Sequence, residues 1–164
     1  MRQSGFRRYR WVLVGLLVLA AVTPLVKQLG GAGGLFPSSV PGSDTGDGVA
    51  SQSRAETTLK HAFETHREAF WIEAAGRVER VLPDDREGSR HQRIIVALAT
   101  GQTLLIAHNI DVAPRLASIA PGDRLRFRGE YVWNAQGGVI HWTHHDPAGE
   151  RPGGWLELDG RRYR

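Results

Sequence analysis

The chain reads as an all-β domain preceded by one helix, and two observations carry that reading. From Trp71 onward apolar residues recur at every second position, the period of a strand with one buried face. The segments so marked come in the order strand, strand, strand, short helix, strand, strand, with Gly, Pro and Asp punctuating them. That is the order of a five-stranded OB-like barrel, extended here by a C-terminal hairpin.

Each element has its own warrant. Residues 54–69 place Ala55, Leu59, Ala62 and His66 on one helical stripe, with Ser51 or Ser53 as the cap. Trp71–Leu82 predicts a first strand, bent or bulged at Gly76. The polar turn from Pro83 to Gly88 leads to a second strand, His91–Ala99, with Ile94, Val96 and Leu98 on one face. Thr100-Gly101 connects tightly into a third, Gln102–His108. Val112, Leu116 and Ile119 are spaced for one short helix over Asp111–Ile119, with Pro114 in its first turn. The fourth strand, Arg124–Trp133, alternates Leu125 and Phe127 inward with Arg124, Arg126 and Arg128 outward; Glu73 and Glu79 on the first strand are the expected partners of those arginines. Val139–His145 is the fifth strand, and Gly153–Tyr163 a hairpin turning at Asp159-Gly160.

The start of the chain has a different character. Arg2, Arg7, Arg8 and Arg10 precede the uncharged run 11–26, which Lys27 closes. This is the layout of a signal peptide or an N-terminal signal anchor with its arginines held in the cytoplasm. Residues 1–27 are read as the anchor, and 28–53, rich in Gly, Ser and Pro, as a flexible linker. Residues 54–164 are the helix plus β domain. An uncleaved anchor in a bacterial inner membrane, with a periplasmic C-terminal domain, is preferred over a cleaved signal and secretion. With no cysteine in the chain, a lipoprotein linkage, disulfides and thiolate metal sites are all excluded.

The net charge of +4 comes mainly from that leader. Residues 1–53 hold five of the 21 Lys/Arg and two of the 17 Asp/Glu, so the remainder is nearly neutral. Counterion release on nucleic acid needs a basic excess, so nucleic acid is not an expected partner, and single-stranded nucleic-acid binding is the weakest of the functional readings. The partners expected are an unknown ligand in the envelope and the inner membrane itself.

The words Leu104–Asp111, Gly129–Asn134 and His141–Pro147, followed by Gly154-Trp155, are similar to a bacterial family catalogued as domain of unknown function 3465. Its members are small exported or anchored proteins. The resemblance spans roughly residues 70–164 and implies a compact β domain in the envelope; it brings no activity and no site residues.

The chemistry is concentrated at one end. Residues 137–147, GGVIHWTHHDP, hold three of the seven histidines, a tryptophan and an aspartate. In an OB-type barrel the third and fifth strands pair in parallel, and the second runs antiparallel to the third. One rim would therefore collect His91, His108-Asn109, Asp111 and His144-His145-Asp146. Read functionally, His91, His108 and His145, with Asp146 or Asp111, form a site for a divalent transition metal such as zinc. An open position on it would activate water for a phosphodiesterase- or nuclease-like hydrolysis, with Glu130 as a remote general base. The plainer reading makes these strand-end groups loop caps, with Asn109 or Asp111 bonding the amides that follow. Tyr131 and Trp133, beside the loop 134–138, could stack on a ligand or fill the core, and Trp133 is the better exposed candidate. Asn109 and His144 complete the ligand-binding candidates. The leading function is a binding or accessory domain with a histidine-rich rim; the metal-dependent hydrolase is the alternative.

Overall fold

The computed structural model describes residues 45–164. The expected anchor and most of the expected linker lie outside the described residues. Among the described residues, no helix is long and apolar enough to cross a membrane.

Helix α1 runs Thr45–Glu64 and so begins inside the stretch expected to be linker. Gly46 and Gly48 are poor helix formers, but two contacts favour the early start. Asp47 sits in the first turn, where a carboxylate meets the helix dipole favourably. Gln52 bonds the strand behind it twice: its Nε2 donates to the Ala75 carbonyl at 2.8 Å and its Oε1 accepts from the Ala75 amide at 2.8 Å. Ala55, Leu59 and Ala62 face the core as expected, Leu59 with no exposed surface. Burying that one leucine contributes about 2 kcal/mol.

The rest is mostly one sheet. Its strands are β1 (Phe70–Asp85), β2 (His91–Ala97), β3 (Thr103–Asn109), β4 (Arg124–Val132), β5 (Val139–His141), β6 (Trp155–Leu158) and β7 (Arg161–Tyr163). The order β1-β2-β3-β5-β4 returns to β1 through a β1–β4 pairing, so five strands form a ring and the β6–β7 hairpin extends the sheet from β4. β1 closes the ring because it is long: Phe70–Arg77 pairs with β4, and from Arg77 onward it pairs with β2. The bend expected at Gly76 falls slightly later, at register shifts between Val78 and Arg80 and between Leu82 and Asp85.

Alternation places the core. β2 and β3 bury every second residue, and β4 turns Leu125, Phe127 and Tyr131 inward. Outside, Arg126 bridges Glu73 at 3.0 Å and Glu157 at 2.8 Å, and Arg162 reaches the same Glu157 at 2.7 Å. Glu79 is not a partner of the arginine stripe, since β4 leaves β1 at Arg77.

Two expected elements differ. The segment 110–123 is a series of turns and not a helix. Gln92 on β2 takes both backbone groups of Leu116, with Nε2 to its carbonyl and Oε1 from its amide, each at 2.9 Å. Helical i→i−4 bonds would need those same groups. The fifth strand ends at His141 instead of His145. β4 offers one edge to both β5 and β6: Glu130–Val132 pairs with β5, and Arg126–Arg128 pairs with β6. Trp142 turns the chain off the sheet with a left-handed φ of 53°.

Candidate functional site

The parallel pairing that gathers the rim is present. β3 and β5 run parallel through Leu105↔Val139 and Ile106↔Ile140, and β2 runs antiparallel to β3 with His91 opposite Asn109 and Gln92 opposite His108. The start of β2 and the ends of β3 and β5 therefore share one end of the ring.

His108 is not a ligand waiting for an ion. It has the same parity on β3 as Leu104 and Ile106, so it points inward and has no exposed surface. Its Nε2–H donates to the Pro114 carbonyl at 3.1 Å, and its Nδ1 accepts from the Thr143 hydroxyl at 2.9 Å. A carbonyl only accepts, so the Pro114 contact places a proton on Nε2. Burial holds its pKa down to about 4.

The aspartates are spent on loop backbone. Asp111 accepts from the Arg90 amide at 2.7 Å and from Arg90 Nε at 2.6 Å, which lower its pKa. Asn109 Oδ1 accepts from the Asp111 amide at 2.9 Å and shapes the same turn. Partial burial acts to raise the pKa of Asp146, but amides of Ala148, Glu150 and Arg151 bond its carboxylate and bring it below the usual range.

His144 is buried, 6 % exposed, and its Nδ1–H donates to the His145 carbonyl at 2.7 Å; burial lowers its pKa. His145 is exposed. Glu130 pairs with His141 on the outward side of β4, whereas His108 points inward, so no base of the expected kind faces His108. Among the described residues, no three His, Cys, Asp or Glu side chains are grouped to hold a metal ion. The donor set expected from the sequence does not fit one, because both nitrogens of His108 and both aspartates are already bonded.

The aromatic candidates divide differently from expectation. Tyr131 is fully buried, its hydroxyl 3.3 Å from the Gly137 carbonyl, and burial raises its pKa to about 12. Trp133 belongs to the helix: its Nε1–H donates to the Phe63 carbonyl at 3.0 Å, and its ring lies 4.2 Å from that of His66. The indole of the rim is Trp142. It is half-buried, with the Arg151 guanidinium 4.0 Å from its ring centre and the His144 ring 5.5 Å away.

The sequence reading missed Gln92, Thr143 and Arg151. Gln92 and His108 carried a legible signal, since each is a polar residue at an inward position of an alternating strand. Thr143 and Arg151 carried none, because their roles depend on where the chain leaves β5.

The family described as "Protein of unknown function (DUF3465)" matches residues 47–164. The chain belongs to DUF3465. The match spans α1 from its third residue and every strand of the sheet, so helix and ring together make the DUF3465 unit. No curated protein matches the chain.

Proposed function

We propose that this DUF3465 domain is an OB-like binding module of the cell envelope. Residues 1–27 anchor it in the inner membrane, and its rim meets a ligand through Trp142 and the neighbouring imidazoles. The OB-like reading is supported by the ring of five strands with its parallel β3–β5 pair. The anchor is supported by the arginine-then-apolar layout of the first 27 residues.

One observation carries the binding reading. Trp142 is a bulky residue in left-handed backbone, φ 53°, a conformation that costs on the order of 1–3 kcal/mol and clusters at functional sites. It is only half-buried, so part of the indole is open to solvent. An indole flanked by the His144 imidazole and the Arg151 guanidinium suits a ligand with flat apolar faces and hydroxyls, such as an oligosaccharide. OB-type barrels take oligosaccharides as well as oligonucleotides, and the near-neutral domain favours the former. Binding is preferred over hydrolysis because Asp111 and Asp146 are engaged by backbone amides and His108 is buried.

The test is a titration of the detergent-solubilised full chain with chitotetraose, following indole N–H resonances by NMR. The Trp142 signal, assigned by its loss in Trp142→Phe, should shift saturably, and Trp142→Ala should weaken binding by about tenfold. A Trp142 signal that never moves removes the reading. A C-terminal alkaline phosphatase fusion, active only outside the cytoplasm, tests the anchor separately.

A further inference from the structure

At the end of the ring away from the histidines, β1 changes partner. Arg77 is the last residue paired with β4, opposite Arg124, and the first paired with β2, opposite Ala97. A cavity of about 470 Å³ opens there, between α1, β1, the β2–β3 turn and the start of β4.

Three features of this cavity point to a ligand. Arg77 and Arg124 stand directly opposite each other on an antiparallel pair, and both are exposed. Like charges so placed repel, yet among the described residues neither is within ion-pair distance of a carboxylate. Arg77 is also held in position, its Nη1 donating to the Gly122 carbonyl at 3.0 Å. The second feature is Glu56, which lines the same cavity and is the only acidic side chain buried among the described residues, 8 % exposed. Its Oε1 accepts from Gln52 Nε2 at 2.6 Å and from the Ala99 amide at 3.4 Å, while no described donor reaches its Oε2. The third is the small lining made by Ala75, Gly76 and Ala97. A Cβ on Gly76 would stand 2.9 Å from the Ala97 carbonyl oxygen, so the space cannot be narrowed by a side chain there without moving backbone.

We propose that this cavity binds a small molecule carrying an anionic group, phosphate or carboxylate, and an amine or hydroxyl donor. The anion bridges the guanidinium groups of Arg77 and Arg124, which offer forked donors to its oxygens. The donor end bonds Oε2 of Glu56. Asp123 also lines the cavity, but its carboxylate accepts from the Ala120 amide at 2.8 Å and shapes the turn. The ligand thus supplies the ion-pair partner that Arg77 and Arg124 lack among the described residues.

Calorimetric titration of the detergent-solubilised full chain at low salt tests this, with O-phosphoethanolamine, β-alanine and inorganic phosphate as probes. The first two distinguish phosphate from carboxylate, and the third lacks the donor arm. At least one amino compound should bind at a single site, about tenfold more weakly in Arg77→Gln and in Arg124→Gln. Glu56→Gln should weaken the amino compound and leave inorganic phosphate unchanged. Should Glu56→Gln fail to fold, the two exposed arginine variants still decide the matter. Without ligand, Arg124→Gln should raise Tm or leave it unchanged, because it relieves repulsion. Absence of binding by every probe at about 10 mM overturns the proposal. So does undiminished binding in Arg124→Gln, or a lowered Tm in that variant, which would make the arginine structural.

Discussion

Gln92 and His108 face each other across the β2–β3 ladder, neither with any exposed surface, and each holds a different backbone group of the segment that follows β3. Gln92 clamps Leu116 through two bonds, and His108 holds Pro114 through one. Two buried polar side chains thus replace the helix that the spacing of Val112, Leu116 and Ile119 would otherwise support.

Gln92→Leu is expected to cost about 2–3 kcal/mol. It leaves a buried amide and a buried carbonyl of Leu116 without partners, and unmet buried groups cost about 1–3 kcal/mol each before relaxation. Denaturant unfolding measures the loss. Hydrogen exchange at the Leu116 amide should accelerate far more than exchange in β4; equal acceleration in both would contradict the clamp.

Stability is expected to depend on pH through His108. Its ordinary pKa of 6.5 falls to about 4 in the folded chain, mainly by burial. Between those values the unfolded chain takes up a proton that the folded chain refuses. The contribution is therefore complete above pH 6.5 and lost as the pH falls toward 4, on the order of 3 kcal/mol in all. Burial shifts His141, to about 4, and His144 in the same direction, so both add to the slope. Unfolding by urea at roughly pH 7 and pH 4.5 should show it, and His108→Asn should flatten part of the profile. A profile independent of pH would refute the assignment.

Gly129→Ala should damage the sheet disproportionately. A Cβ there would lie 2.2 Å from the His141 carbonyl oxygen and 2.7 Å from Ile140 Cγ2, so β5 could not keep its place beside β4. A loss of about 3 kcal/mol is expected, typical of overpacking against atoms that cannot yield. Gly88→Ala is the comparison: its φ is +74° but nothing lies within 4 Å, and it should cost only about 1 kcal/mol. Thermal unfolding of both variants orders them, and equal losses would remove the packing argument.

Trp133→Ala should act on stability and leave ligand binding alone. The indole ties the last turn of α1 to the end of β4 through Phe63 and His66. Its removal should cost about 3 kcal/mol, in the range of large aromatic truncations. Circular dichroism should register the loosened helix. Unchanged stability would return Trp133 to the ligand-binding candidates.

The sequence made the strands legible because alternation depends only on neighbours along the chain. Leu104, Ile106 and His108, or Leu125, Phe127 and Tyr131, show their burial by parity alone. The gathering of His91, His108 and the end of β5 was legible from strand order. What could not be read was competition between distant segments. β5 stops at His141 because β6, more than a dozen residues later, occupies the rest of the same β4 edge. The helix expected at 111–119 yields to Gln92, some twenty residues earlier. Asp146 followed its local sequence as a turn-forming acid, whereas Asp111 is held by Arg90, far back along the chain, and so belongs with what could not be read locally.

The shared edge of β4 makes β5 and β6 rivals for one berth. Beyond Gly129, which neither strand pairs, each residue that β5 gained on β4 would be one that β6 surrendered, so the stretch from Trp155 to Tyr163 bears on the point at which the chain peels away at Trp142. A substitution in β6 or β7 can therefore retune the indole and the His144 ring beside it without touching either.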